Sequence, residues 1–385
     1  MPTGLLNPRA GVAVNASPDR APRDFHRRLP GYQPTPLVDA PAIAERLGIG
    51  RLWVKDESSR MGLPSFKVLG ASWATFRALE GRAGQPLREW EDVAELGSLV
   101  RRLTPVRRLA AATDGNHGRA VARTARWLGL EAHIYVPVGM ATARVEAIVG
   151  EGASVTTVDG SYDAAVAQSA LEADDHCLVI SDTSWPGYTS IPSWVIEGYS
   201  TIFDEVDADI ESAGVSAPDL VVVQIGVGAL AAAVVRHFRQ ASTVGSRILG
   251  VEPTGAAACV MASMQDGGIR FVPGPHRSIM AGLNAGTPSI VAWPDVSSGI
   301  DAFIAIEDDW AREGMRLLAS MSLVSGETGA AGIAGLLAVR SGELASIAAA
   351  LELTEDSSIL VLSTEGATDP DAYHAAVGTD RPRSA

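Results

Sequence analysis

The most informative residue in this chain is a lysine beside a local break, where covalent chemistry is possible. Lys67 lies in Pro64-Ser65-Phe66-Lys67-Val68-Leu69-Gly70, after Gly62 and Pro64 and before an apolar run that reads as a helix. A lysine desolvated at a helix start, near the positive end of the helix dipole, has its pKa lowered. A neutral amine of that kind can form a Schiff base with a carbonyl compound. The alternative is a surface lysine capping a turn. The other loops bear on the choice. Gln224-Ile225-Gly226-Val227-Gly228-Ala229-Leu230 follows an apolar run and opens a helix. Small residues there let backbone N–H groups close around an anion, so Gly226, Val227, Gly228, Ala229 and Leu230 are candidate phosphate contacts. The loop is neither a dinucleotide fingerprint, since Gly226-x-Gly228-x-x-Ala231 fits loosely, nor a Walker motif, since no Gly-Lys-Ser/Thr follows. A tight turn without a ligand is the other reading.

Three more loops carry polar groups. Thr113-Asp114-Gly115-Asn116-His117-Gly118 offers Asp114 as a carboxylate base and Asn116 as a donor to a cofactor oxygen; otherwise Thr or Asp caps the following helix. Ser181-Asp182-Thr183-Ser184-Trp185 offers Asp182 as a second carboxylate, or an Asx-turn with Trp185 as packing. In Leu362-Ser363-Thr364-Glu365-Gly366, Ser363 or Thr364 could hydrogen-bond a ring nitrogen or simply cap a turn. Ile279-Met280-Ala281-Gly282-Leu283 and Ser325-Gly326-Glu327-Thr328-Gly329-Ala330 could each be an ordinary loop. The seven histidines form no His-x-x-x-His pair, so no metal is expected, and no Gly-x-Ser-x-Gly elbow is present.

These loops need a scaffold that brings them to one end of a sheet. Strands are predicted at 51–55, 108–113, 131–136, 154–158, 177–181, 220–224, 247–251 and 359–362. Helices are predicted at 40–47, 65–79, 118–128, 142–149, 161–174 and 229–240, with two more within 310–351. Strands alternating with helices imply βαβ units, a parallel sheet and an α/β fold. Leu220-Val221-Val222-Val223 and Ile359-Leu360-Val361-Leu362 read as strands buried on both faces. In such sheets ligands bind beyond the carboxyl ends of strands, which is where the polar loops fall. Residues 1–30 read as an extended arm, Pro34-Thr35-Pro36-Leu37 as an extended segment, and 81–107 as a charged insertion with a short helix near 90–103.

With 385 residues, 46% of them hydrophobic, the chain can fill two lobes. A net charge of −14 argues against a nucleic-acid partner. No apolar stretch reaches the ~20 residues needed to span a bilayer, and no signal-peptide core is visible near Met1. Two cysteines, Cys177 and Cys259, make no disulfide framework and suit a reducing compartment, so a cytoplasmic location is expected.

A lysine, a phosphate cradle and a hydroxyl after the last strand form the set expected for pyridoxal 5′-phosphate (PLP). Their order resembles the tryptophan-synthase-β, or fold-type II, superfamily, and Pro34-Thr35-Pro36-Leu37 looks like its opening segment. Within it the chain is most similar to the diaminopropionate ammonia-lyases, through Lys55-Asp56-Glu57-Ser58-Ser59-Arg60-Met61-Gly62-Leu63, the Thr113, Ser181 and Ser363 loops, and Ile279-Met280-Ala281-Gly282-Leu283. The resemblance runs from residue 32 to residue 375.

It implies two three-layer αβα lobes with largely parallel sheets and the cofactor between them. Residues 1–75 and 220–385 would form the large PLP-binding domain and 76–219 the small one. It implies Lys67, preceded by Phe66, as the Schiff-base residue and Asn116 on the phenolic oxygen. Gly226 to Leu230 would hold the phosphate, and Ser363 or Thr364 the pyridine nitrogen. The implied reaction removes ammonia from D- or L-2,3-diaminopropionate and gives pyruvate. The implied enzyme is a homodimer with a small amino acid as its substrate. Threonine and serine dehydratases usually carry a hydroxyl residue at the place of Asp114. A carboxylate there suits a substrate with an extra ammonium, or proton abstraction from the opposite face. Lys67 would then serve an L-substrate and Asp114 a D-substrate, with Asp182 or the released lysine protonating the leaving amine. Two positions depart from the pattern. Pro64-Ser65 replaces the more usual Asn-Ala, and Asn284-Ala285 stands where some members have a cysteine, which removes a disulfide partner for Cys259. A dehydratase or racemase acting on a hydroxy amino acid is the alternative. A non-catalytic metabolite binder is a third reading, against which Lys67, Asp114 and Asn116 argue together.

Overall fold

Eleven strands are present among the residues that the computed structural model describes, 1–11, 20–240, 245–255 and 259–378. In chain order they are β1 (Thr3–Leu6), β2 (Leu37–Asp39), β3 (Arg51–Asp56), β4 (Arg108–Ala112), β5 (Glu131–Pro137), β6 (Ser154–Val158), β7 (Cys177–Val179), β8 (Leu220–Gln224), β9 (Arg247–Pro253), β10 (Ala302–Ile306) and β11 (Ser358–Ser363). They form a seven-stranded sheet in the order β1-β10-β9-β8-β11-β3-β2 and a four-stranded sheet in the order β6-β5-β4-β7. The chain divides accordingly into two units. The first comprises the described parts of Met1–Pro18, Pro34–Ser59 and Ile202–Ala385; the second comprises the described part of Asp19–Gln33 and Arg60–Thr201.

In the first unit the central pairings are parallel and only the outermost strands run the other way, β1 on β10 and β2 on β3. The position of β2 follows from its sequence. Pro34 and Pro36 lead into it without N–H groups to donate, so this segment suits a sheet edge. The apolar β8 and β11 lie side by side at the centre, as parallel strands covered on both faces should. Helix Ala331–Arg340 is apolar nearly all round and buried for that reason, packed on β8, β9, β10 and β11.

The four strands of the second unit are all parallel. Helix Lys67–Ala83 packs there on helices Ser190–Gly198 and Asn116–Leu128. The first of these contacts is made by glycines. A Cβ on Gly70 would lie 2.6 Å from Tyr199 Cε1, and one on Gly198 would lie 2.6 Å from the Leu69 carbonyl oxygen. Helix Val93–Leu103 starts where the Asp92 carboxylate accepts from the N–H groups of Ala94 and Glu95.

Several expectations shift. The units change over at residues 59/60 and 201/202 rather than at 75/76 and 219/220, because helix Lys67–Ala83 packs within the second unit. The expected arm 1–30 carries β1 and helix Ala21–His26. His26 is buried, with its ring nitrogens 2.9 Å from the Leu69 carbonyl and 2.8 Å from Thr201 Oγ1. Residues 310–351 hold parts of three helices, Asp308–Ala319, Ala331–Arg340 and Ala345–Ala350, instead of two, and β10 was not foreseen. No described helix is long and apolar enough to cross a membrane.

Candidate active site

Lys67 is the first residue of its helix; Phe66 at the N-cap position offers no side-chain cap, and Ser65 Oγ accepts from the Lys67 N–H at 3.4 Å. Its side chain is 22% exposed and its Nζ lies 2.6 Å from Asp182 Oδ2. Burial works to push the lysine pKa down. The Asp182 carboxylate, aided by the Tyr199 hydroxyl, more than reverses this and holds it above its ordinary value. The expected depression of the Lys67 pKa is therefore corrected: the charge partner outweighs desolvation.

Asp182 follows β7, in a loop folded by its own side chains. The Tyr188 hydroxyl donates to the Val179 carbonyl at 2.6 Å and accepts from the Ser181 N–H at 3.1 Å, and Trp185 stacks on Tyr188. The Tyr162 hydroxyl donates to Asp182 Oδ1 at 3.2 Å. Burial alone would raise the Asp182 carboxyl, but the Lys67 ammonium above all, with Tyr162, holds it well below the usual carboxylate range. Asp182 is thus a counter-ion for Lys67.

The turn after β4 is held by Thr113, whose hydroxyl accepts from the N–H groups of Gly115 and Gly118, each at 2.9 Å. Thr113, not Asp114, makes this cap. The half-buried Asp114 carboxyl is pushed up to about 7. Burial is the main cause, the Asp182 and Asp163 carboxylates add to it, and Arg144 and Lys67 pull the other way. Asn116 begins helix Asn116–Leu128, two residues on from Asp114. Behind it, His117 is buried with Nε2 2.8 Å from the Ile180 carbonyl. A carbonyl only accepts, so Nε2 carries the proton; burial lowers the ring's pKa and the ring is neutral. Its Nδ1 lone pair stands 3.9 Å from Asp182 Oδ2.

The first unit supplies groups of another kind. After β8, Gly228 adopts φ +100° and a Cβ on Gly226 would lie 2.9 Å from the Gly282 carbonyl oxygen, so neither position suits a larger residue. Helix Ala229–Phe238 then begins with no side-chain cap, which leaves its first N–H groups available to an anion. At the end of β11, Ser363 Oγ donates to Ser325 Oγ at 2.9 Å, and in the next residue Thr364 Oγ1 accepts from Gln224 Nε2 at 3.0 Å. Gly282 N–H donates to Thr328 Oγ1 at 3.1 Å, which joins the two loops that read as ordinary in the sequence. No group of three or more His, Cys, Asp or Glu among the described residues is placed to hold a metal.

Lys67, Asp114 and Asp182 thus come together in the second unit, while Gly226 to Leu230, Ser363 and Thr364 belong to the first. Sequence reading missed Tyr162, Arg144, Tyr199 and Gln224. Tyr162 had one usable signal, its place just after a predicted strand; Tyr199 and Arg144 had none.

Residues 28–364 match the family model described as pyridoxal-phosphate dependent enzyme. The diaminopropionate ammonia-lyase of Escherichia coli (strain K12) is 36% identical over 381 residues, covering 97% of this chain and 94% of the relative. A crystal structure of the E. coli enzyme in complex with D-serine superposes with a TM-score of 0.90 at 34% identity, over 98% of this chain and 97% of that one. Another, in complex with an aminoacrylate–PLP azomethine reaction intermediate, gives a TM-score of 0.86 at 34% identity with the same coverage.

Proposed function

This chain belongs to the pyridoxal-phosphate dependent enzymes, among the diaminopropionate ammonia-lyases, and from that premise we propose that it converts 2,3-diaminopropionate and water into pyruvate and two molecules of ammonia. Its residues fit the cofactor. A lysine stands at a helix start, an uncapped helix N-terminus follows a glycine loop, and neutral hydroxyls end the last strand. Lys67, Asn116, Gly226 to Leu230 and Ser363 or Thr364 would hold it. Bound PLP supplies an electron sink that acidifies the α-proton of an attached amino acid.

The chain's own groups then handle protons. Lys67, in its neutral amine form, takes the α-proton of an L-substrate, and Asp114, ionised, takes that of a D-substrate. Lys67, which holds a proton strongly beside Asp182, delivers one to the leaving β-amine. Asp182 keeps its charge while Lys67 is cationic, so it positions and stabilises the ammonium and is not itself the acid. A hydroxyl at the ring nitrogen, in place of a carboxylate, leaves that nitrogen largely neutral and favours elimination over transamination. The observation that carries the reading is the set of proton-handling groups in one cluster: an amine whose proton is held by Asp182 at 2.6 Å and a second carboxyl, Asp114, poised at about 7.

The test is a substrate panel of D- and L-2,3-diaminopropionate, serine and threonine, scored for keto acid and ammonia. Two ammonia per pyruvate from diaminopropionate supports the reading. Faster turnover of serine, with one ammonia per pyruvate, replaces it with a dehydratase. We further propose a cytoplasmic homodimer. The buried thiols Cys177 and Cys259 support a reducing compartment, and sedimentation of the purified protein would test the dimer.

A further inference from the structure

Gln224 ends β8 and leads directly into the phosphate loop, and it is only 3% exposed. Its amide nitrogen lies 3.1 Å from the Thr328 carbonyl, 3.2 Å from that of Gly329, 3.1 Å from that of Leu362 and 3.0 Å from Thr364 Oγ1. Two N–H bonds therefore serve four acceptors. The amide oxygen is buried and finds no hydrogen-bond partner among the described residues. A glutamine kept for core stability alone would satisfy both ends of its amide. This one uses only its donors, and directs them to the end of β11, to Thr364 and to the segment before helix Ala331–Arg340.

We propose that Gln224 is a positioning residue that sets the separation between the group holding the cofactor's phosphate and the hydroxyls assigned to its ring nitrogen. The inference rests on the assignment of those two loops to PLP. Ring and phosphate form a ligand of nearly fixed length, so a cradle held in register in advance binds it without an ordering cost. Donation from Gln224 occupies a lone pair of Thr364 Oγ1, which turns that hydroxyl's own proton away from the amide. Ser363 is held separately, by Ser325, so the two hydroxyls are oriented by different partners.

The test is titration of the PLP-free full chain with PLP, read by visible absorbance and as a dissociation constant, beside the melting temperature of the PLP-free protein. Gln224→Met keeps the volume and removes the donors. It should raise the PLP dissociation constant about tenfold and shift the absorbance of the bound cofactor. Thr364→Val should do the same, and the double variant should add little to the larger single effect. Full multiplication of the two effects would overturn the inference. So would a Gln224→Met protein that melts earlier yet binds PLP with parental affinity and absorbance while Thr364→Val binds weakly. If Gln224→Met, Thr364→Val and Ser363→Ala all bind PLP normally, the assignment of the loops is what fails. Should Gln224→Met not fold, Gln224→Glu decides: its carboxylate would face three carbonyls, so PLP affinity must fall as pH rises, and a curve parallel to the parent's overturns the proposal.

Discussion

The polar loops of the two units are built on opposite principles. In the second unit the groups are ionisable and their proton affinities are displaced: Lys67 upward, Asp182 downward, Asp114 up to about 7. In the first unit the ends of β8 and β11 and the segment before helix Ala331–Arg340 present mainly amide and hydroxyl groups, Gln224, Ser325, Thr328, Ser363 and Thr364, joined by hydrogen bonds, with Glu365 accepting from the Thr328 N–H at 3.1 Å. The first arrangement can move protons, because a small change in surroundings changes who holds one. The second is suited to holding and orienting. Two carboxylates of one residue type make the point within a single unit. Asp182 has a cation at 2.6 Å and stays charged, whereas Asp114 has burial without so close a partner and sits near neutrality in its titration.

If that division holds, changes in the second unit should alter rate and pH dependence, and changes in the first should alter cofactor affinity. The largest effect is expected from Lys67→Ala. Turnover of both isomers should fall by roughly 10³ or more, as loss of a nucleophile and base implies; a fall of less than tenfold would break the scheme. Asp114→Asn should remove D-isomer turnover by roughly 10²–10⁴ while sparing the L-isomer. Equal losses on both isomers would break the assignment of two faces. Asp114 acts as a base only when ionised, so parental D-turnover should rise as pH passes through about 7, and the Asn variant should lack that limb. The stability sign runs the other way. The folded pKa of Asp114 lies above its ordinary 3.8, so its contribution is complete below 3.8 and is lost as pH rises through about 7. Melting curves of the parent and Asp114→Asn should diverge across that window in favour of the variant.

Asp182→Asn comes next. With the carboxylate gone, only the Tyr199 hydroxyl opposes burial's downward push on Lys67, so the pH profile should move to lower pH and turnover should fall roughly 10²-fold. An unmoved profile would show that Asp182 does not govern the lysine. Gly226→Ala, in the first unit, should weaken PLP binding by about tenfold through contact with the Gly282 carbonyl, with the pH profile kept; a shifted profile would blur the division. Tyr162→Phe removes one bond to Asp182 and should cost about fivefold in turnover, in line with ~1 kcal/mol for a hydrogen bond.

Much of this was legible in the sequence, and the limit is physical. The parallel core could be read because β8 and β11 are apolar on both faces and punctuated by glycine turns. Lys67, Asp114, Asn116 and the glycine loop could be read because each lies just after a strand or at a helix start. What could not be read depends on partners distant in sequence. The direction of the Lys67 shift is set by Asp182, 115 residues away. Gln224 looked like the last residue of a strand, and only the Thr328, Leu362 and Thr364 contacts, more than a hundred residues on, show what its amide does. β1 has four residues and is fixed by pairing with β10, so local pattern had little to offer.

The glycine crossing beneath Lys67 has a consequence for anyone retuning this protein. Gly70 lies one turn downstream of Lys67, where a Cβ would run into Tyr199, and a Cβ on Gly198 would run into the Leu69 carbonyl. A single methyl group at either place would act as a shim under the helix that carries the reactive amine, shifting Lys67 relative to Asp182 and Tyr199 without replacing any polar side chain. Proton affinity at Lys67 could therefore be adjusted through these two apolar positions.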